Sequence, residues 1–186
     1  HGRSTGKRGH APSYETLLND IEALIAQARK RVPHVPVFLY GHSMGGGMVA
    51  NFCLRRDARV LGAIVTAPLF RIAFEPPGFK VALARVMQKI YPAYSEHTGL
   101  MPEHLSHDPE VVKAYEEDGL VHDCMTAALF NAVFHAGVEA LEEAPTLEVP
   151  MLLMHGMDDE ITSAPASEEF ARRAGAICTW RPWPGL

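Results

Sequence analysis

The residues best suited to chemistry are Ser43 and its immediate neighbours. Residues 35–47, V-P-V-F-L-Y-G-H-S-M-G-G-G, read as an apolar strand, a G-x-S-x-G turn and the start of a helix. That order is the one a nucleophile elbow requires: a tight strand-to-helix turn that leaves the serine hydroxyl exposed at the strand tip. Gly41 and Gly45 are expected where a Cβ would collide with neighbouring backbone. A glycine-rich turn without chemistry has no need to fill all of these positions at once. A serine hydroxyl is a weak nucleophile at neutral pH. It needs a histidine to take its proton, and the histidine needs a carboxylate to orient it and stabilise its charged form. The alkoxide that develops on the substrate needs N–H donors. The backbone N–H of Met44, next in sequence and at a helix N-terminus, is the first candidate.

The acid is sought after a later strand. The loop H-G-M-D-D-E-I-T-S at 155–163 follows the apolar run V-P-M-L-L-M at 149–154 and offers Asp158 and Asp159. On its own, an aspartate in such a loop is more often solvated or loop-capping. After the Ser43 elbow it reads as the acid, and Asp159 is the choice. The histidine does not follow: all ten histidines precede Asp159. His42 adjoins Ser43 but is expected to point away from its hydroxyl, and His155 is expected to pack under the acid loop.

The elements that must position these groups alternate between helix and strand. Residues 1–13 are a polar, glycine-rich loop. A helix is expected over 14–31, capped by Ser13, with Leu17, Leu18, Ile21, Leu24, Ile25 and Ala28 as one buried stripe. A strand at 35–40, apolar almost throughout, reads as a parallel strand covered on both faces. A helix at 44–56 and a second buried strand at 60–65 follow. Residues 69–144 contain no convincing strand; helices are expected over 79–90, 109–117 and about 123–143. This is a helical insertion between two strands of one sheet, and it reads as a lid. A strand at 149–154, a helix at 164–174 and a strand at 177–181 complete the chain. The division is therefore 1–68 (core with the nucleophile), 69–144 (lid) and 145–186 (core with the acid). The fold class is α/β, a mostly parallel sheet flanked by helices, with catalytic groups at the carboxyl ends of the strands.

Composition narrows the function classes. With 186 residues, 47% of them hydrophobic, the chain can bury a sizeable core. A net charge of −5 with interspersed signs argues against a nucleic-acid footprint or a polybasic membrane anchor. No apolar run approaches the ~20 residues of a membrane span. Cys53, Cys124 and Cys178 lack C-x-x-C spacing and read as free thiols, which suits a reducing, cytoplasmic setting. No cofactor motif and no metal-ligand spacing is evident.

The combined motifs resemble the monoacylglycerol lipase and lysophospholipase family of α/β-hydrolases. The matching stretches are H-G-R-S-T-G-K-R-G-H at 1–10, P-V-F-L-Y-G-H-S-M-G-G at 36–46, V-P-M-L-L-M-H-G at 149–156, D-E-I-T-S at 159–163 and the closing P-W-P-G-L. The resemblance implies an α/β-hydrolase fold with Ser43 as nucleophile, Met44 as an oxyanion donor and Asp159 as the acid of an H-G-x-x-D pattern. It implies no cofactor and a lipid-ester substrate, with transient contact to a membrane surface through the lid. It also implies N-terminal strands and a catalytic-histidine loop outside residues 1–186, and hence an inactive fragment.

Overall fold

The computed structural model describes residues 2–57, 59–74, 78, 86–87, 90–91 and 93–186. Two compact units are formed, one from 1–13 with 75–132, the other from 14–74 with 133–186.

The larger unit is built on a parallel sheet. Its strands are β1 (Phe38–His42), β2 (Gly62–Thr66), β5 (Met151–Gly156) and β6 (Cys178–Trp183), in the order β1-β2-β5-β6. Helix α1 (Tyr14–Arg31) precedes β1, and α2 (Met44–Arg55) joins β1 to β2. Helix α4 (Ala127–Glu143) leads toward β5, and α5 (Ala164–Ala174) lies between β5 and β6. This alternation is the sheet class expected above.

The strands sit about two residues later than the apolar runs suggest, for a local reason. Pro36 has no N–H to give to a ladder, and Val35 is half exposed. At the other end, Gly41 and His42 pair with Val65 and Thr66, so the first two residues of the G-x-S turn belong to the strand.

Burial within residues 1–186 departs from two expectations. Within residues 1–186, Leu39 and Gly41 of β1 are buried, while Phe38 and Tyr40 are 59% and 66% exposed. Among the described residues the ladder of β1 is to β2. The α1 stripe is likewise narrower than expected. Leu18 and Ile25 are buried, whereas Leu24 is 65% exposed.

The core of this unit lies between sheet and helices. Phe52 of α2, Leu153 of β5 and Phe170 of α5 are fully buried in it. Phe70, just past β2, stacks on Phe170 at a centroid distance of 4.6 Å. Each such side chain contributes about 1.5–3 kcal/mol through the area it removes from water. On the surface, Glu15 of α1 pairs with both Arg55 and Arg56 at the end of α2.

The smaller unit corrects the expectation that 69–144 lacks strands. β3 (Ser95–His97) and β4 (Cys124–Thr126) pair antiparallel, with Ser95 opposite Thr126 and His97 opposite Cys124. Each is three residues long, too short to show an alternating pattern. Helix α3 (Pro109–Glu117) is capped by Asp108, whose side chain accepts the Glu110 N–H. The expected helix at 79–90 falls largely outside the described residues. Helix α4 begins at Ala127 rather than 123, because 124–126 are taken up by β4.

Candidate active site

Ser43 sits where β1 becomes α2, at φ 54° and ψ −122°. A non-glycine residue there is strained, by about 1–3 kcal/mol, and persists only where its surroundings hold it. The surroundings do so through the backbone. Ser43 N–H donates to the Thr66 carbonyl at 3.0 Å, and the Ser43 carbonyl accepts from Leu69 N–H at 3.0 Å and Gly47 N–H at 3.1 Å. The hydroxyl makes no cap bond to the helix, and the residue is partly exposed. Met44 is the first residue of α2, so its N–H is one of the four that the helix leaves without an internal acceptor.

The steric reason for the glycines holds at Gly41 and fails at Gly45. A Cβ on Gly41 would lie 2.4 Å from the Gly45 carbonyl oxygen and 2.8 Å from Val49 Cγ2. A Cβ on Gly45 would meet nothing within 4 Å. The close packing falls instead on Gly46, where a Cβ would be 3.2 Å from Pro68 Cα and from the Thr66 oxygen. The signal for Gly46 is in the sequence, as the second glycine of the G-G-G run.

Asp159 lies in the loop after β5. Its Oδ1 accepts the N–H groups of Ile161 and Thr162, both at 2.8 Å, and its Oδ2 accepts the Thr162 hydroxyl at 2.8 Å. His155 Nε2 stands 3.2 Å from the same Oδ2. Burial alone would raise this carboxyl; the hydrogen bonds from His155, Thr162 and Ile161 outweigh it and bring the pKa down to about 2. Asp158, by contrast, is exposed, with its N–H donated to the Leu186 carbonyl at 2.8 Å.

His155 is buried beneath this loop. Its Nδ1 meets Ser167 Oγ at 2.7 Å and its Nε2 meets the Thr162 carbonyl at 3.1 Å. A hydroxyl proton from Ser167 on Nδ1 leaves the Nε2 proton for Thr162 and Asp159. His42 turns to Thr66, Nδ1 to Oγ1 at 2.9 Å. His34 and His135 are exposed.

The sheet brings the two loops to one end. His42, Thr66, Met154 and Arg181 are successive register partners across β1, β2, β5 and β6. Ser43 and Asp159 therefore both follow the carboxyl ends of parallel strands, with β2 between them. The exit from β2 ties them together, which the sequence reading missed. Ala67 N–H donates to Met154 at 2.9 Å, and the Ala67 carbonyl lies 3.1 Å from Thr162 Oγ1. Ala67 itself has φ 44°. Residues 71–73 then run against 161–163, through Ser163 N–H to Arg71 at 2.9 Å and Ala73 N–H to Ile161 at 3.0 Å. The fourfold use of Thr162 has one sequence signal, its place three residues after Asp159.

Of the site residues read from the sequence, Ser43 and Met44 thus lie on the strained turn and Asp159 in a hydrogen-bonded loop at the same sheet end.

Known proteins resemble this chain in sequence and in fold. The family model for serine aminopeptidase S33 matches residues 1–186. An uncharacterized abhydrolase domain-containing protein of Dictyostelium discoideum is 34% identical over 93% of this chain and 18% of its own length. A monoacylglycerol lipase of Mycolicibacterium smegmatis is 30% identical over 100% of this chain and 67% of its own length. The crystal structure of Paleococcus ferrophilus monoacylglycerol lipase superposes with a TM-score of 0.90 at 34% identity, covering 100% of this chain and 70% of that one. The chain thus spans only part of the relatives it matches. It belongs to the serine aminopeptidase S33 family of α/β-hydrolases, and within it to the monoacylglycerol-lipase-like members.

Proposed function

We propose that this chain carries the nucleophile and the acid of a serine carboxylic-ester hydrolase that cleaves monoacylglycerols or lysophospholipids. The observation that carries the reading is the positive φ of Ser43 at the strand–helix turn. Such strain is retained at a site where a hydroxyl must be presented to a substrate. The lipase names of the M. smegmatis and P. ferrophilus relatives support the choice of substrate.

In this mechanism Ser43 Oγ attacks the ester carbonyl as its proton passes to a histidine. The carbonyl π electrons move to oxygen, and the Met44 N–H stabilises the oxyanion. Collapse expels glycerol, or the headgroup-bearing alcohol, which takes the proton from the histidine. Water, activated by the same histidine, then attacks the acyl-Ser43 ester and releases the fatty acid. Asp159 holds the histidine in the productive tautomer and stabilises its charged form. The order serine, acid, histidine places that base after Asp159. Because all ten histidines precede Asp159, residues 1–186 alone turn over no ester in this proposal. The division into 1–68, 69–144 as lid and 145–186 belongs to it too, as does transient contact with a lipid surface through the lid. Phe74 and Phe134, both exposed, are candidates to face an acyl chain.

The test is an acyl-chain series of p-nitrophenyl esters and monoacylglycerols, on the protein with the sequence that flanks these residues in its gene. The expected kcat/KM rises by at least about tenfold from acetate to medium or long chains, since each buried CH2 is worth about 0.8 kcal/mol. A maximum at acetate would replace the lipase by a short-chain esterase. The family description favours one other reading, an aminopeptidase. Turnover of aminoacyl p-nitroanilides above that of the esters would establish it.

A further inference from the structure

The antiparallel β3–β4 pair of the smaller unit brings together three side chains that have no part in the reading above. His97 and Cys124 are direct cross-strand partners, and Asp123 precedes Cys124. Asp123 bridges the other two: Oδ2 is 2.7 Å from His97 Nδ1, and Oδ1 is 3.6 Å from Cys124 Sγ. One nitrogen, one sulfur and one carboxylate oxygen lie within 4.8 Å of one another.

The backbone beneath them is held on both sides. Thr98 N–H donates to the Asp123 carbonyl at 2.6 Å, next to the β3–β4 pair. On the other side Gly9, at φ 60°, runs so close that a Cβ there would be 2.0 Å from the Cys124 carbonyl oxygen. Gly9 O accepts the Thr126 N–H at 2.8 Å, and His122 Nδ1 accepts the Cys124 N–H at 3.3 Å. Convergence of the three donors is therefore a property of the ladder and not of one loose loop.

We propose that His97, Asp123 and Cys124 form a three-ligand site for a thiophilic divalent cation of the zinc class, with water as the fourth ligand. Imidazole, thiolate and carboxylate are the donor types zinc takes, and three protein ligands plus one solvent position is a geometry it accepts. Hard cations such as magnesium or calcium would lack the all-oxygen shell they require. Binding forms the metal–sulfur bond and releases the thiol proton to solvent. The site would staple β3 to β4 in a unit that has little other sheet. It is independent of the Ser43 chemistry.

Cobalt(II) titrated into the reduced chain is the test, read as a thiolate-to-cobalt charge-transfer band that zinc then displaces. The expected result is one equivalent bound. Cys124→Ser abolishes the band, and His97→Gln weakens zinc by at least about tenfold, the least that even an outer-shell partner costs. A chain with both buried cysteines replaced, Cys53→Ser and Cys178→Ser, keeps the band. As a measurement that needs no variant, zinc protects Cys124 from alkylation, read by peptide mass analysis. A band that survives Cys124→Ser, unchanged zinc affinity in folded His97→Gln, or no band and no protection would each overturn the site.

Discussion

Ser43 and Asp159 stand at the same end of one sheet but are held in opposite ways. Ser43 is fixed by backbone: a φ of 54° imposed by hydrogen bonds to Thr66, Leu69 and Gly47, with its hydroxyl left without a cap bond. Asp159 is fixed by side-chain bonds to both carboxylate oxygens, from two amides, one hydroxyl and a buried histidine. In the proposed enzyme the nucleophile must stay reactive, which fits a strained backbone and a hydroxyl without a cap bond. The acid of that enzyme must stay ionised and aimed, which fits the donors around Asp159. The exit from β2 is common to both, since Thr66 and Leu69 bind Ser43 and Ala67 meets Thr162.

The largest effect that would break this comparison falls on the acid. In the proposed enzyme, Asp159→Asn lowers kcat by about 10⁴-fold, as loss of the orienting carboxylate does in serine proteases. A loss below about tenfold, measured with a monoacylglycerol, would remove Asp159 from the mechanism.

On the nucleophile side the expected loss is in stability. Gly41→Ala drives a methyl into the Gly45 carbonyl, and overpacking of this kind costs about 3 kcal/mol. Chemical denaturation of the 186-residue chain reads it, and a cost under about 0.5 kcal/mol would mean that the turn relaxes.

Acid titration separates the two supports further. Asp159 has a folded pKa of about 2 against an unfolded value near 3.9, so it binds protons more weakly when folded. Its stabilisation, on the order of 2 kcal/mol, is full above about pH 4 and is lost as pH falls through about 2. In Asp159→Asn that share of the acid sensitivity is absent; an unchanged pH dependence of unfolding would show that the hydrogen bonds do not hold the carboxylate.

The smallest effect is expected at Gly45→Ala. The site is helical and open, so the substitution stabilises by about 0.5–1 kcal/mol. Destabilisation would put a neighbour at Gly45 that this geometry lacks.

Much of this was legible in the residues. Helices at 14–31, 109–117 and 164–174 are bounded by apolar spacing and by Pro, Gly or Asp at their ends, and they form over those same residues. The strands were legible as elements but displaced, since an apolar run marks burial while the ladder follows N–H supply, as Pro36 shows. Exposure of Leu24, Phe38 and Tyr40 within residues 1–186 was not legible, because it depends on which elements pack on them and leaves no mark on their own residue types. The β3–β4 pair was hidden by its length. The convergence of His97 with Cys124 was hidden by the distance between them along the chain. Thr162, Ser167 and Ala67 carry ordinary residue types, and their roles come only from the partners that the sheet delivers.

The central claim is that the strained serine is the nucleophile. Reaction of the protein, with its natural flanking sequence, with a fluorophosphonate and peptide mass analysis tests it most directly. The account predicts a single adduct, on the peptide carrying Ser43, absent in Ser43→Ala together with about 10⁶-fold of the esterase kcat. An adduct on another residue, or labelling and turnover that persist in Ser43→Ala, would contradict it.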